Sequence, residues 1–252
     1  MALRTRGQPR FGSDAAESAR KTPGRGRQNR PFRRLTSHQL RALPLGDTAI
    51  TISFGGEKSP ELLHRIQAIA RSLSEKRITH VDDIVPAYLT LTVFYDALHA
   101  SYQEMSAQLL DACESANQLQ STRTPSRKHV IPVRYDGIDL ESIATATRLP
   151  ADEVIARHIA RTYTVDLLGF VPGFAYLSEI DAALQVPRRP QPRPRVAAGS
   201  VAIAGAQTAV YPLDTPGGWH IIGTTSMVMF DPGRDPPALL APGDAVRFEN
   251  VG

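Results

Sequence analysis

Short apolar runs between glycines and prolines constrain what the second half of the chain can fold into. Each run is too short for an ordinary helix, and the turn-forming residues at its ends indicate a strand. Many short strands at close spacing, with few helices between them, predict a β-barrel or a β-sandwich. The runs are GSVAIAG, TAVYPLD, WHIIGTTSMVMFD and DAVRFENV.

The first half of the chain mixes strands and helices. Apolar and polar residues alternate over 49–54, which predicts a strand that Gly55 and Gly56 terminate. Ser59 then has the position of an N-cap for a helix with apolar residues at helical spacing. We therefore predict an α+β protein with a small N-terminal α+β sandwich over 36–122 and a β-rich domain over 123–252.

The basic charge of the chain is concentrated at its N-terminus. Residues 1–34 contain ten Lys and Arg but two acidic residues, a net charge of +8, whereas the rest of the chain carries −4. A segment with so few apolar residues cannot offset its ordering entropy, so residues 1–35 are predicted to be a disordered basic tail. The tail is either a nucleic-acid or targeting arm or a dispensable extension. The mildly acidic remainder argues against nucleic acid as a partner.

Further features of the sequence predict the compartment. No run approaches 18 apolar residues, and the N-terminus lacks the apolar stretch of a secretory signal, so we expect no membrane partner. Cys113 is the single cysteine, which excludes an intrachain disulfide and favours an inert thiol. A cytoplasmic protein is the simplest expectation.

The run LLGFVPGFAYLSEI, residues 167–180, combines helix-breaking residues with large rings. Gly169, Pro172 and Gly173 disfavour both a helix and a plain strand. Two hypotheses explain the rings: they line a binding groove, or they pack the core beneath the loop. The rings belong to Phe170, Phe174 and Tyr176.

Two further loops carry candidate functional groups. The segment VPRRPQPRPR, residues 186–195, is stiffened by proline, so its arginines either form a solvated charged face or clamp a carboxylate or phosphate. The segment TPGGWHIIGTT, residues 215–225, contains the single tryptophan and His220. His220 and His158 are each either a satisfied structural histidine or a functional one. We predict no metal site, because the sequence contains no HxH, HExxH or carboxylate cluster.

Several long motifs together resemble the family of the 5-oxoprolinase B subunit, also called the allophanate hydrolase subunit 1 or carboxyltransferase-domain family. The resemblance extends from about residue 41 to residue 251. The motifs that carry it are LGFVPGFAYL, PRRPQPRPRVAAGSVAIAGAQTAVYP and TPGGWHIIGTT.

The resemblance implies a fold, an activity and partners. The expected fold is a small α+β domain followed by a cyclophilin-like β-barrel. The expected activity is that of a hydrolase subunit, inactive alone, which opens 5-oxoproline to L-glutamate with ATP. Homologues of the C and A subunits of 5-oxoprolinase are the implied partners, and this chain or a partner binds the ATP. The alternatives are a KipI-type inhibitor that binds a sensor histidine kinase and a subunit that processes urea or allophanate.

The resemblance also implies site residues. Phe170, Phe174 and Tyr176 are expected to line the groove or its contact with the partner subunit, and His158 matches a helix histidine of the family. Our own assignment, which the resemblance does not supply, makes His158 or His220 the catalytic proton carrier. Two positions depart from the family pattern, because Ala209 replaces a glycine and Thr224 replaces an arginine, which removes one expected anion donor. The expected substrate or anion contacts are Arg188, Arg193, Gln207, Tyr211, Gly217, Gly218 and Trp219.

Overall fold

The structure is a computed structural model that describes residues 40–118 and 126–252. The predicted tail lies outside these residues. Within them the chain forms both α-helices and β-strands, with all four α-helices before residue 160 and eight strands after it, which confirms the mixed α+β class. The predicted division into domains at about residue 122 stays a prediction.

The helices occupy the positions that the sequence predicts. In α1 the N-cap is Ser59, whose hydroxyl accepts a hydrogen bond from the backbone N–H of Leu62 at 3.2 Å. The helices of the described residues are α1 (Pro60–Lys76), α2 (Tyr102–Gln118), α3 (Leu140–Thr147) and α4 (Ala151–Ile159).

The strands are short, as the glycine and proline spacing predicts. Those before residue 126 are β1 (Arg41–Pro44), β2 (Ala49–Ser53), β3 (Val81–Ala87) and β4 (Thr90–Tyr95). Those after it are β5 (Lys128–Val133), β6 (Thr162–Leu168), β7 (Ala175–Leu177), β8 (Arg193–Val196), β9 (Ser200–Ala204), β10 (Gln207–Val210), β11 (Thr215–Gly217), β12 (His220–Thr224) and β13 (Ala245–Asn250).

The first four strands form one antiparallel sheet in the order β1-β2-β4-β3. Its alternating apolar residues are buried, as Ile50, Ile52, Leu91 and Val93 show. Helices α1 and α2 pack on each other and against this sheet. Cys113 is buried in α2, and burial raises the pKa of its thiol to about 12, so a thiolate nucleophile is disfavoured there.

The later strands form several small sheets around a second core. One has the order β5-β13-β6-β7, another β10-β9-β12, and β8 pairs with β11. Strand β13 is parallel to β5 and antiparallel to β6. In the described residues these ladders do not join into one closed barrel, so the cyclophilin-like barrel stays a prediction. Across the described ranges, no helix combines the length and the apolar character that a membrane crossing requires.

Candidate functional site

The run at 167–180 forms a β-hairpin, which explains its glycines. Gly169 N–H donates to the Phe174 carbonyl at 3.1 Å, and Phe174 N–H donates to the Val171 carbonyl at 3.1 Å. Phe170 and Gly173 both have left-handed backbones, with φ of 72° and 77°. A Cβ at Gly173 would also lie 2.6 Å from Cβ of Phe230, so the turn has room for glycine alone.

Five rings pack together beside this hairpin, and we call them the aromatic cluster. Phe174 is its centre, because its ring meets each of the other four edge-on at centroid distances of 4.9–5.7 Å. Phe174 is buried, whereas Phe170 is 61% exposed and Tyr176 is half-buried. A ligand at this surface would therefore contact Phe170 and Tyr176, and Phe174 would support them from below. The cluster consists of Phe170, Phe174, Tyr176, Tyr211 and Trp219.

The Pro/Arg segment and the Gly-Gly-Trp-His loop lie side by side. Gly217 of β11 pairs with Arg193 of β8, and Arg189 N–H donates to the Gly218 carbonyl at 2.9 Å. A Cβ at Gly217 would collide with the Tyr211 hydroxyl, whereas Gly218 has ordinary space around it. The fold thus brings together the two loops that the sequence marks as functional.

Arg188 is the cation in this region that remains available to a ligand. Its side chain is exposed, and its guanidinium carbon lies 5.8 Å from the Trp219 ring centroid, a cation–π distance. Burial raises the pKa of Tyr211 and of Tyr176, and in both cases the positive charge of Arg188 opposes that rise. Exposed Arg188 and half-buried Tyr176 therefore present a charged and aromatic surface suited to a flat anion, above the buried rings of Trp219 and Tyr211.

The sequence predicts that Arg193 contacts an anionic ligand. In the structure Arg193 instead binds a carboxylate of the protein itself. Its Nη2 donates to Oδ1 of Asp139 at 2.7 Å, and Nη1 of Arg189 donates to the same oxygen at 3.0 Å. The other carboxylate oxygen accepts the backbone N–H of Ile221 at 2.7 Å. Burial would raise the pKa of Asp139, but these hydrogen bonds and the two guanidiniums outweigh it and lower that pKa. The ion pair holds the Pro/Arg segment against β12.

Three buried polar atoms beside this ion pair have no hydrogen-bond partner among the described residues. They are Nε of Arg189, Nη1 of Arg193 and Nδ1 of His220. His220 donates from Nε2 to the Pro187 carbonyl at 2.9 Å, which leaves its Nδ1 as an acceptor in the neutral ring. Buried polar groups usually have partners, so a polar group of a ligand or a water molecule would be stabilised here.

His158, the other candidate proton carrier, lies within the core. Its Nε2 donates to the Thr208 hydroxyl at 2.9 Å, because that hydroxyl itself donates to the Ala202 carbonyl. Its Nδ1 then accepts the Tyr135 hydroxyl at 2.7 Å. Burial lowers the pKa of His158 to about 3, so the ring is neutral at physiological pH. Its catalytic role stays a prediction, and this geometry favours a structural one.

A second set of polar side chains joins the first sheet to the β-rich half, and we call it the Tyr88 contact. It consists of Lys58, Tyr88, Asp166 and Gln207. Gln207, an expected substrate contact, donates instead from its side-chain nitrogen to the Tyr88 hydroxyl at 2.9 Å. Lys58 lies over the Tyr88 ring, 5.2 Å from its centroid, and donates to Oδ2 of buried Asp166 at 2.7 Å. Strand β10, which begins at Gln207, packs against β7, which carries Tyr176, so the Tyr88 contact adjoins the aromatic cluster.

Sequence reasoning missed Asp139, Asp166 and Tyr88. Asp139 stands where an N-cap of α3 would, but its side chain makes no capping hydrogen bond and reaches the arginines instead. Asp166 offered a signal, because a lone carboxylate inside an apolar strand is rarely buried without a partner. Tyr88 offered none, because its hydrogen-bond partner lies more than 100 residues away in sequence.

Comparison with known proteins identifies the family. Residues 40–240 match the family described as carboxyltransferase domain, subdomain C and D. The chain belongs to this carboxyltransferase-domain family. It is 38% identical over 219 residues to a Bacillus subtilis protein named as the B subunit of 5-oxoprolinase, and the match covers 82% of this chain and 91% of that one. An Escherichia coli O157:H7 protein of the same name is 38% identical over 217 residues, 83% of this chain and 95% of that one.

Solved structures of related proteins agree with the fold. The crystal structure of TTHA0988 matches with a TM-score of 0.71 and 40% identity over 81% of this chain, which spans 40% of that longer protein. The urea amidolyase of Kluyveromyces lactis matches with a TM-score of 0.69 over 84% of this chain and 15% of that one, and at 17% identity it shows the fold alone.

This carboxyltransferase-domain chain departs from the expected pattern at two positions, and the structure shows what each side chain contacts. Thr224, in place of an arginine, donates from its hydroxyl to Asp136 Oδ1 at 2.9 Å on the surface. Ala209, in place of a glycine, is buried in β10 opposite Ala202. The threonine therefore leaves the site with one cation fewer than the family pattern implies.

Proposed function

We propose that this chain is a cytoplasmic subunit of an ATP-dependent 5-oxoprolinase. Together with partners that are homologues of the C and A subunits of 5-oxoprolinase, it opens 5-oxoproline to L-glutamate, and it is inactive alone. The observation that carries the proposal is the 38% identity to two proteins named as the B subunit of 5-oxoprolinase, over more than nine tenths of their lengths.

The surface around Arg188 supports this substrate class. 5-Oxoproline is a flat five-membered lactam with one carboxylate. In the proposal, Arg188 binds the carboxylate, and the faces of Tyr176 and Phe170 contact the ring. The proposed groove is the mouth of a cyclophilin-like barrel formed by the small sheets, a fold for which the short strands and the glycine turns are suitable.

The proposed reaction cleaves the lactam C–N bond. Phosphoryl transfer from ATP to the lactam oxygen would activate the carbonyl carbon and release ADP. A first water molecule would add to that carbon, the ring nitrogen would leave as an amino group, and a second water molecule would hydrolyse the resulting acyl phosphate to glutamate and phosphate. The sequence contains no GxxxxGK[ST] loop, and the free donors near Arg193 suit a single anionic group. We therefore propose that a partner holds most of the ATP.

His220 is the stronger of the two candidate proton carriers. Its Nδ1 is an acceptor without a partner among the described residues, and one hydrogen bond from Nε2 fixes the ring. His158 has both ring nitrogens occupied in the core. In the proposal, His220 relays the proton that the ring nitrogen gains.

Reconstitution with candidate partners tests the proposal. This chain is co-expressed with homologues of the C and A subunits, the complex is purified, and substrate-dependent ADP release is measured with 5-oxoproline, urea or allophanate. We expect a stable complex that is active on 5-oxoproline. A stable complex that is active on urea or allophanate alone would overturn the substrate assignment. Failure to form any complex, with inhibition of a sensor histidine kinase instead, would favour the KipI-type alternative.

A further inference from the structure

Two histidines and an aspartate meet at one end of the first sheet, and we call them the His-Asp-His cluster. His80 lies directly before β3, Asp96 directly after β4, and His99 in the loop that leads to α2. The register pairs Val81 with Tyr95, and Asp96 N–H donates to the His80 carbonyl at 2.9 Å. The antiparallel pairing therefore fixes the backbones of His80 and Asp96 next to each other.

The side chains of the cluster converge on one point. One ligand atom from each of the three residues lies within 4.8 Å of the other two. His99 Nδ1 is 2.6 Å from Asp96 Oδ2, and the His80 and His99 rings stack with centroids 5.6 Å apart and planes at 9°. His80 itself has a left-handed backbone, with φ of 66°.

From this geometry we propose that the His-Asp-His cluster binds a divalent transition-metal ion, with Zn²⁺ as the best fit. Two imidazole nitrogens and one carboxylate oxygen are ligands that Zn²⁺ accepts, and the fourth tetrahedral position would be open to water. Ligand atoms of a tetrahedral zinc lie about 3.3 Å apart at bonds of about 2.0 Å. Binding would therefore separate Asp96 Oδ2 from His99 Nδ1 by roughly 0.7 Å more than in the structure, a change within reach of small side-chain rotations.

The surroundings of the cluster favour a cation. Asp96 Oδ1 accepts the backbone N–H of Leu98 at 2.9 Å, which orients the carboxylate and leaves Oδ2 for the metal. Asp96 also lines an open cleft of about 610 Å³ to which Asp47 and Asp82 contribute two further carboxylates. His80 and His99 are exposed, so an ion reaches them from solvent without local unfolding.

This inference departs from the sequence prediction of no metal site. Asp96 and His99 lie three positions apart in one loop, but His80 precedes Asp96 by sixteen positions, and only the β3–β4 pairing brings it to them. The cluster shares no residue with the aromatic cluster or the Tyr88 contact. The ion would link the start of β3 to the loop between β4 and α2.

Titration of the purified full-length chain, with no polyhistidine tag, tests the proposal. ZnCl₂ is titrated into the protein by isothermal calorimetry, and visible absorption with Co²⁺ reports tetrahedral coordination. We expect one site per chain. His80→Asn retains a residue type that tolerates the left-handed backbone, and with His99→Ala it should weaken Zn²⁺ binding at least tenfold each and abolish the tetrahedral Co²⁺ spectrum.

His64→Ala is the matched control, because His64 is also an exposed histidine of the N-terminal half but lies on α1 outside the cluster. It should bind Zn²⁺ as the wild type does. Unchanged melting temperatures without metal would show that the variants are folded. Two results would overturn the proposal: no Zn²⁺ binding to the wild type, or equal binding to wild type, His80→Asn and His99→Ala.

Discussion

Arg188 and Arg193 lie five residues apart in one segment, yet their surroundings differ. Arg193 and Arg189 share the buried carboxylate of Asp139, whereas Arg188 is exposed over the Trp219 ring. An arginine already bound to a protein carboxylate cannot bind a substrate carboxylate with the same donors. Arg189 and Arg193 are therefore a structural pair, whereas Arg188 is the proposed ligand contact.

Replacement of Arg188 should affect activity and leave stability unchanged. Loss of one charge-assisted contact to a substrate anion, about 1.5–3 kcal/mol, predicts a roughly ten- to hundredfold fall in kcat/KM for 5-oxoproline in Arg188→Ala. Arg188→Lys should recover part of it. Arg195→Ala is the control, because Arg195 is an exposed arginine of the same segment that binds Asp214. Equal activities of the two alanine variants would refute the role of Arg188.

The buried ring of His158 should make stability depend on pH. Its pKa in the folded chain, about 3, lies below the ordinary value of 6.5, so the unfolded state binds more protons between these values. The free energy of unfolding should therefore have its full value above pH 6.5. It should decrease by up to about 1.4 kcal/mol per pH unit as the pH falls toward 3. Urea titrations of wild type and His158→Gln at several pH values check this, since the variant should show a shallower decline. Parallel declines would contradict it.

In the hairpin turn between β6 and β7, glycine is required at one position for two separate reasons. Gly173 has both a left-handed backbone and a contact with Phe230 that excludes a Cβ. Gly205, in the turn between β9 and β10, also has a left-handed backbone, with φ of 56°, but has open space around it. Comparison of the two glycines therefore distinguishes the cost of a left-handed backbone from the cost of a steric clash.

Alanine substitutions at these two turns should differ in cost. Gly205→Ala should lower the free energy of unfolding by about 1 kcal/mol, the cost of a left-handed alanine. Gly173→Ala should lower it by roughly 3 kcal/mol, because the added methyl group also displaces Phe230. Urea denaturation midpoints measure both. Equal midpoints would mean that the loop moves away from Phe230 at little cost.

The sequence predicts elements better than contacts between them. Ser59, Gly55 and the alternating residues of β2 are local signals, and they placed α1 and β2 within about a residue. The function of Asp139 depends on arginines 50 and 54 positions away, and that of Tyr88 on Gln207, 119 positions away. Such pairings follow from the assembled sheets, so no local pattern could have predicted them.

At the scale of the molecule, the two halves are joined by specific polar contacts. Lys58 and Asp166 form an ion pair of 2.7 Å in which Asp166 is 2% exposed, and the Tyr88–Gln207 hydrogen bond lies beside it. Gln67 adds a longer bond of 3.5 Å to the Val165 carbonyl. These contacts fix the first sheet beside the aromatic cluster.

Removal of Lys58 should destabilise the chain by leaving a carboxylate buried. Because the Lys58 side chain is itself one-third exposed, we expect Lys58→Met to cost about 1–3 kcal/mol, less than a fully buried pair would. The double variant Lys58→Met with Asp166→Leu should recover most of the loss. Arg195→Met, which breaks an exposed pair, should leave the melting temperature almost unchanged. Thermal unfolding of these variants, of Asp166→Leu alone and of the wild type decides this, and additive losses in the double variant would disprove the coupling.

The most direct test of the proposed function is the rate of ATP-dependent glutamate release from 5-oxoproline in a mixture of this chain with its partners, the homologues of the C and A subunits. We expect release that requires 5-oxoproline, ATP and this chain, with none from this chain alone. Release that continues at the same rate when this chain is omitted would contradict it.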